Sequence, residues 1–349
     1  MKVQTVRLAV VFGLFLAARG EVRGGSPDQD WAAVLALDAG PQEQTPTREA
    51  AARMVQTHLA RQERALRDFL TTHPRDTRVF EARLRLARLL QIRADFEGSE
   101  KPRAEAQRLL ADLETTATPE QRPELEFAKV ARLMRTLRAP TTAQREELLR
   151  AARKFQSAYP ADRRLASLLA EVATLFDHQP KTKEVLLEDA RALATDDELK
   201  ARIADDLKRV YLVGQEVPLR FTAVQGMEID PEALRGRPVF LIFFADTSPP
   251  SIAALQKLQQ ETAGLPKDSV RLVGVSLDEK RETLLGLLKA RAVAWPVAWD
   301  GQGWESPLVR SLGINALPTV WLLDGRGRLR SLNALEGSAA KARELLQER

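Results

Sequence analysis

Val239-Phe240-Leu241-Ile242-Phe243-Phe244-Ala245-Asp246-Thr247-Ser248-Pro249-Pro250-Ser251 opens as an unbroken apolar, β-prone run and closes as a helix start. A strand with one wet face alternates apolar and polar residues, so an unbroken run predicts a central strand buried on both faces over residues 239–245. Ser248 has the side chain of an N-cap and Pro249 suits a first helical turn. Ile252, Leu255 and Leu258 then recur at helical spacing. Working outward, residues 270–277 predict a second strand and 279–292 a helix. Two short strands, 319–323 and 329–332, flank the hairpin signal Asp324-Gly325-Arg326-Gly327, and 338–348 forms a closing helix. Strands alternating with helices predict an α/β domain with a mainly parallel sheet, assigned to residues 214–349.

The pattern changes near Val213-Gly214. Residues 28–212 are rich in Ala, Leu, Arg and Glu and almost free of glycine, which predicts an α-helical domain. Thr118-Pro119-Glu120-Gln121 and Thr195-Asp196-Asp197-Glu198 have the form of capping boxes. A weak repeat runs through this half. Phe69-Leu70-Thr71-Thr72-His73-Pro74-Arg75-Asp76 is matched 86 positions later by Phe155-Gln156-Ser157-Ala158-Tyr159-Pro160-Ala161-Asp162. In both, a helix ends at a proline turn and a second helix follows, so the expected unit is a helical hairpin of the repeat-protein kind. Such repeats offer a concave binding surface, and an irregular packing bundle is the alternative.

Residues 1–20 read as a secretory signal. Lys2 and Arg7 precede the uncharged run 8–18, and Ala18-Arg19-Gly20 places small residues at a cleavage site. Eleven residues are too few to span a bilayer, which takes about 20. The chain is therefore expected to be secreted or periplasmic, with no stable membrane span once the signal is removed. The charge of +5 across 349 residues falls to +2 without Lys2, Arg7 and Arg19, so no nucleic-acid partner is expected.

There is no cysteine, which excludes disulfides, thiolate nucleophiles and cysteine-held metals. Three histidines, His58, His73 and His178, offer no metal site, and no Walker loop or Gly-x-Gly-x-x-Gly sequence is present, so no metal or cofactor is expected.

The order of elements after Val213 resembles the thioredoxin-like fold, most nearly the TlpA-like and redoxin (AhpC/TSA-type) thiol–disulfide oxidoreductases. The resemblance rests on five matches in order, the two lead-in stretches counting as one and Trp295-Pro296-Val297 as its own. Gly214-Gln215-Glu216-Val217-Pro218 and Leu234-Arg235-Gly236-Arg237-Pro238 lead in. Phe243 to Ser251 stands where the family reads Phe-Trp-Ala-x-Trp-Cys-Pro-Pro-Cys. Val273-Gly274-Val275-Ser276-Leu277-Asp278 with Trp295-Pro296-Val297, and Leu312-Gly313-Ile314-Asn315-Ala316-Leu317-Pro318-Thr319, follow. The resemblance implies a cis peptide at Pro318, facing the motif. It also shows what is missing: Ser248 and Ser251 replace the two cysteines around Pro249 and Pro250, leaving a vestigial redox motif. A serine hydroxyl has no disulfide couple, and Thr247 and Ile242 also depart from the family pattern.

No catalytic residue is expected. Ser248 as a nucleophile would need a positioned base, and no histidine lies beyond His178. The helix start at Ser248 is an unspecific anion site if its N–H groups are free. What the family pattern leaves is peptide binding, with Thr247, Leu317 and Pro318 as the contact residues. The expected function is therefore an exported, redox-inactive binding or scaffolding protein whose partner is an extracytoplasmic protein or peptide. The alternative is a redoxin-family protein that works with thiols supplied by a partner. Of Trp295, Trp299, Trp304 and Trp321, most are expected to be packing residues, with one flanking the groove as an anchor.

Overall fold

The computed structural model describes residues 25–41, 47–137, 140–232 and 234–348; the signal read in residues 1–20 lies outside them. The first part is helical: α1 (Pro27–Ala36), α2 (Arg48–Thr72), α3 (Val79–Glu97), α4 (Glu100–Thr116), α5 (Arg122–Thr136), α6 (Thr142–Ala158), α7 (Leu165–Ala173), α8 (Pro180–Leu193) and α9 (Asp197–Tyr211). Consecutive helices pack in pairs, α2 on α3, α3 on α4, α6 on α7 and α7 on α8. No described helix is long and apolar enough to cross a membrane.

The chain forms two compact units that divide at Ala128–Lys129, inside α5, so α6–α9 belong to the same unit as the sheet. The core of the first unit gathers Trp31, Leu66, Phe69, Leu86 and Leu90 from α1, α2 and α3.

The repeat is visible atom by atom in its turns. In the first copy the helix end closes with His73 N–H on Phe69 O, Asp76 N–H on His73 O and Val79 N–H on Asp76 O. The second copy repeats all three bonds at Tyr159, Asp162 and Leu165. Asp76 then accepts from the backbone N–H and the guanidinium of Arg78, and Asp162 does the same for Arg164. Each Asp thus ties down the start of the next helix, which has no side-chain cap of its own.

Hydrogen bonds from the Arg78 side chain and backbone pull the Asp76 carboxyl down to about 2, and those of Arg164 lower Asp162 likewise. A folded-state value below the unfolded one (about 3.9) gives a stabilisation fully present above that value and lost as pH falls through the folded one. A carboxyl carbon titration should therefore give Asp76 a midpoint near 2. Asp76→Asn should make the acid-side loss of stability shallower in the same window. A midpoint at the ordinary aspartate value would contradict this turn.

Several helix starts depart from the sequence reading. Asp196, not Thr195, caps α9, accepting from Leu199 N–H at 2.8 Å. A carboxylate is the stronger acceptor and also favours the positive helix end. At Thr118 the reciprocal half of the box is present, Gln121 Oε1 accepting from Thr118 N–H at 3.1 Å. Full capping boxes form instead at Ser26/Gln29 and Thr141/Gln144.

After α9 come β1 (Phe221–Thr222), β2 (Glu228–Ile229), β3 (Val239–Phe244), α10 (Pro249–Ala263), β4 (Arg271–Ser276), α11 (Arg281–Ala290), β5 (Val297–Ala298), α12 (Pro307–Ser311), β6 (Thr319–Leu323), β7 (Leu329–Ser331) and α13 (Ser338–Gln347). The main sheet has the order β5-β4-β3-β6-β7; β3, β4 and β5 run parallel, while β6 and β7 are antiparallel to their neighbours. Every residue of β3 is fully buried. Phe240, Ile242 and Phe244 enter one core with Leu255, Leu258, Leu284, Leu288, Val320 and Leu322. Phe243 alternates to the other face, where its ring meets Trp321 edge-on at 5.5 Å.

Candidate functional site

The sheet register brings two loops to one end. β3 runs out through Ala245 into the 246–248 turn, and its antiparallel neighbour β6 begins at Thr319, paired with Phe243. Pro318, one residue earlier, therefore emerges beside the end of β3. The Leu317–Pro318 bond is cis. Thr247 is exposed, and Leu317 and Pro318 are half-buried.

The 246–248 turn is held from β4. Asp278, only 5% exposed, accepts from Asp246 N–H at 2.8 Å and from Ser276 Oγ at 2.8 Å. Its own N–H donates to Ser276 Oγ, and its carbonyl accepts from Trp299 Nε1 at 2.6 Å. In the sequence, Asp278 stands only as the last residue of the strand motif Val273-Gly274-Val275-Ser276-Leu277-Asp278. Its role depends on a loop 32 residues away, and a Ser-x-Asp closing a buried strand was the one available signal.

Ser248 is a structural cap. Its Oγ accepts from Ser251 N–H at 3.3 Å, and its carbonyl accepts from Ser251 and Ile252 N–H. Pro249 and Pro250 have no N–H to offer. The helix start therefore offers an anion no free backbone donor among these residues, and the condition for an unspecific anion site is not met. Ser251 is fully buried and its Oγ has no partner among the described residues, an uncommon and costly state for a hydroxyl. Ile242 and Trp321 are fully buried, Trp295 and Trp299 half-buried, and Trp304 is 48% exposed.

Both outer strands of the sheet are already paired. Beyond β7, Gly214 N–H donates to Leu329 O, Leu329 N–H to Gln215 O and Val217 N–H to Gly327 O. Beyond β5, Val224 N–H donates to Val297 O, and Gln225 Oε1 accepts from Val297 N–H. An incoming strand would have to displace these segments. The Leu317 main chain is different: among the described residues its N–H and C=O have no backbone partner. The carbonyl before it, on Ala316, is taken by Thr319 Oγ1 at 2.8 Å.

Residues 236–329 match a family model described as thioredoxin-like. This region is a thioredoxin-like domain. Among known proteins, the chain is 26% identical over 117 residues to the sporulation thiol-disulfide oxidoreductase A of Bacillus subtilis, covering 33% of this chain and 69% of that protein. Solved structures similar to it include a thiol:disulfide interchange protein DsbE from Chlorobium tepidum, at 21% identity, TM-score 0.35 and coverage of 38% of this chain and 97% of that one. A thiol-disulfide oxidoreductase from Bacteroides fragilis is another, at 23% identity, TM-score 0.33 and coverage of 36% and 98%. The thioredoxin-like domain here has serine at 248 and 251, and the chain has no cysteine. Dithiol–disulfide exchange by its own side chains is chemically excluded.

Proposed function

We propose that the thioredoxin-like domain is a redox-silent receptor for an extended segment of another polypeptide. The segment pairs with the Leu317 main chain and is flanked by Thr247 and Pro318. The open N–H and C=O of Leu317 carry this reading, because both sheet edges are occupied and this is the strand-like backbone left to pair at the site. Main-chain pairing supplies affinity with little demand on the partner's sequence. The partner is an extracytoplasmic protein or peptide, a reading supported by the signal pattern of residues 1–20.

A single-cysteine reporter tests it. In Ser248→Cys, the thiolate attacks the sulfur of a hexapeptide of alternating threonine and valine bearing one pyridyl-disulfide-activated cysteine. The peptide–pyridyl S–S bond breaks, a protein–peptide disulfide forms and pyridine-2-thione leaves. Adding Leu317→Asp should slow trapping by about tenfold, since an aspartate competes for the same N–H and must stay hydrated as the strand docks. Equal rates with and without Leu317→Asp would overturn the proposal and turn attention to the helical surface.

A further inference from the structure

The cis-proline loop is gripped from behind by α9. The Arg209 guanidinium donates to Gly313 O at 2.6 Å and to Asn315 Oδ1 at 2.5 Å, and it also pairs with Asp206. Asn315 Nδ2 closes the ring by donating to Asp206 Oδ1 at 3.2 Å. The Asp206 and Arg209 side chains are only 7% and 13% exposed. Pairs such as Lys200–Asp197 and Arg310–Glu305, by contrast, join exposed side chains, where such contacts contribute little. Backbone also meets backbone here. Gly313 has φ +67°, and a Cβ on it would lie 2.5 Å from Asp205 O and 3.1 Å from Lys208 Cβ. The fit therefore requires glycine at 313, both for its left-handed backbone and for the approach of α9. On α8, the buried Lys183 pairs with Asp177, and both are close enough to Arg209 to act on its charge.

We propose that Arg209 is a positioning residue for the peptide site: with Asp206 it sets the path of residues 313–315 and so the orientation of the Leu317 main chain two residues on. α9 is then part of the receptor, not a separate appendage. This inference rests on the binding role of Leu317 proposed above. A planar guanidinium suits the task because one rigid fork reaches a carbonyl, an amide oxygen and a carboxylate together.

Amide hydrogen exchange on the full-length chain tests it without a ligand. Gly313 and Ile314 amides are bonded to Arg310 O and Val309 O, and both report on the loop. In Arg209→Met they should exchange about a hundredfold faster, while the strand amides of Phe243 and Leu322 keep their wild-type rates. Unchanged loop exchange, or an equal rise throughout the sheet, would overturn the positioning role. Should Arg209→Met fail to fold, Asn315→Ala keeps the Arg209–Asp206 pair and decides the matter through the same amides, with an expected rise of about tenfold. The trapping assay separates the two proposals. Slow trapping in Leu317→Asp with normal trapping in Arg209→Met refutes the positioning role alone. Normal trapping in Leu317→Asp refutes the binding site, while the exchange result stands on its own.

Discussion

Phe243→Ala should destabilise the sheet unit by about 3–5 kcal/mol, the range for removing a fully buried phenylalanine. Phe243 sits in the middle of the sheet, between Val275 of β4 and Thr319 of β6, and is wholly inaccessible. Its ring leans edge-on against Trp321, itself fully buried, so truncation leaves a void lined by a rigid indole that has little freedom to collapse into it. At this size of folding unit, thermal denaturation should report the loss as a fall of about 10 °C. A shift within a degree or two of wild type would mean that β3 is not the centre of the fold. Phe243→Leu keeps most of the volume and should cost markedly less.

The second large effect concerns chemistry. The native chain should reduce insulin disulfides no faster than buffer with dithiothreitol alone. The S248C/S251C variant should form an intramolecular disulfide and accelerate the same reaction by at least about a hundredfold, because a helix start with Ser251 N–H aimed at position 248 favours a thiolate there. Position 251 is buried and its hydroxyl unpartnered, so the less polar thiol fits that site at least as well. The reduced double variant should accordingly be no less stable than the native protein. Failure to gain activity in a folded, disulfide-forming variant would show that Thr247 and Ile242 removed more of the machinery than the two thiols.

Much of the sheet was legible because local patterns and tertiary needs agree. The apolar run of β3 could only be buried on both sides, and Asp324 with Gly327 made the β6–β7 turn readable. There the Asp324 carboxylate collects the N–H groups of Arg326 and Arg328, as turn chemistry predicts. The proline turns of the helical half were readable as a repeat, but the Asp76–Arg78 and Asp162–Arg164 clamps inside them carry no local signal. An aspartate two residues before an arginine is common and gains meaning only once the next helix starts there. The site was legible where it resembles a known loop, at Ser248, Pro249, Pro250, Ser251, Leu317 and Pro318. It was illegible where its support comes from afar. Asp278 reaches Asp246 across 32 residues, and Arg209 reaches Gly313 across 104. No periodicity or spacing encodes such contacts; they follow from the way the sheet and α9 stack.

Pairing of a peptide strand with the Leu317 main chain can be read from amide resonances of the unmodified protein. Titrating the native chain with the threonine–valine hexapeptide, serine in place of its cysteine, should shift Leu317 and Thr319 amides most and slow exchange at the Leu317 N–H as it gains a partner. Shifts confined to residues of the helices, with Leu317 unmoved at millimolar peptide, would contradict it.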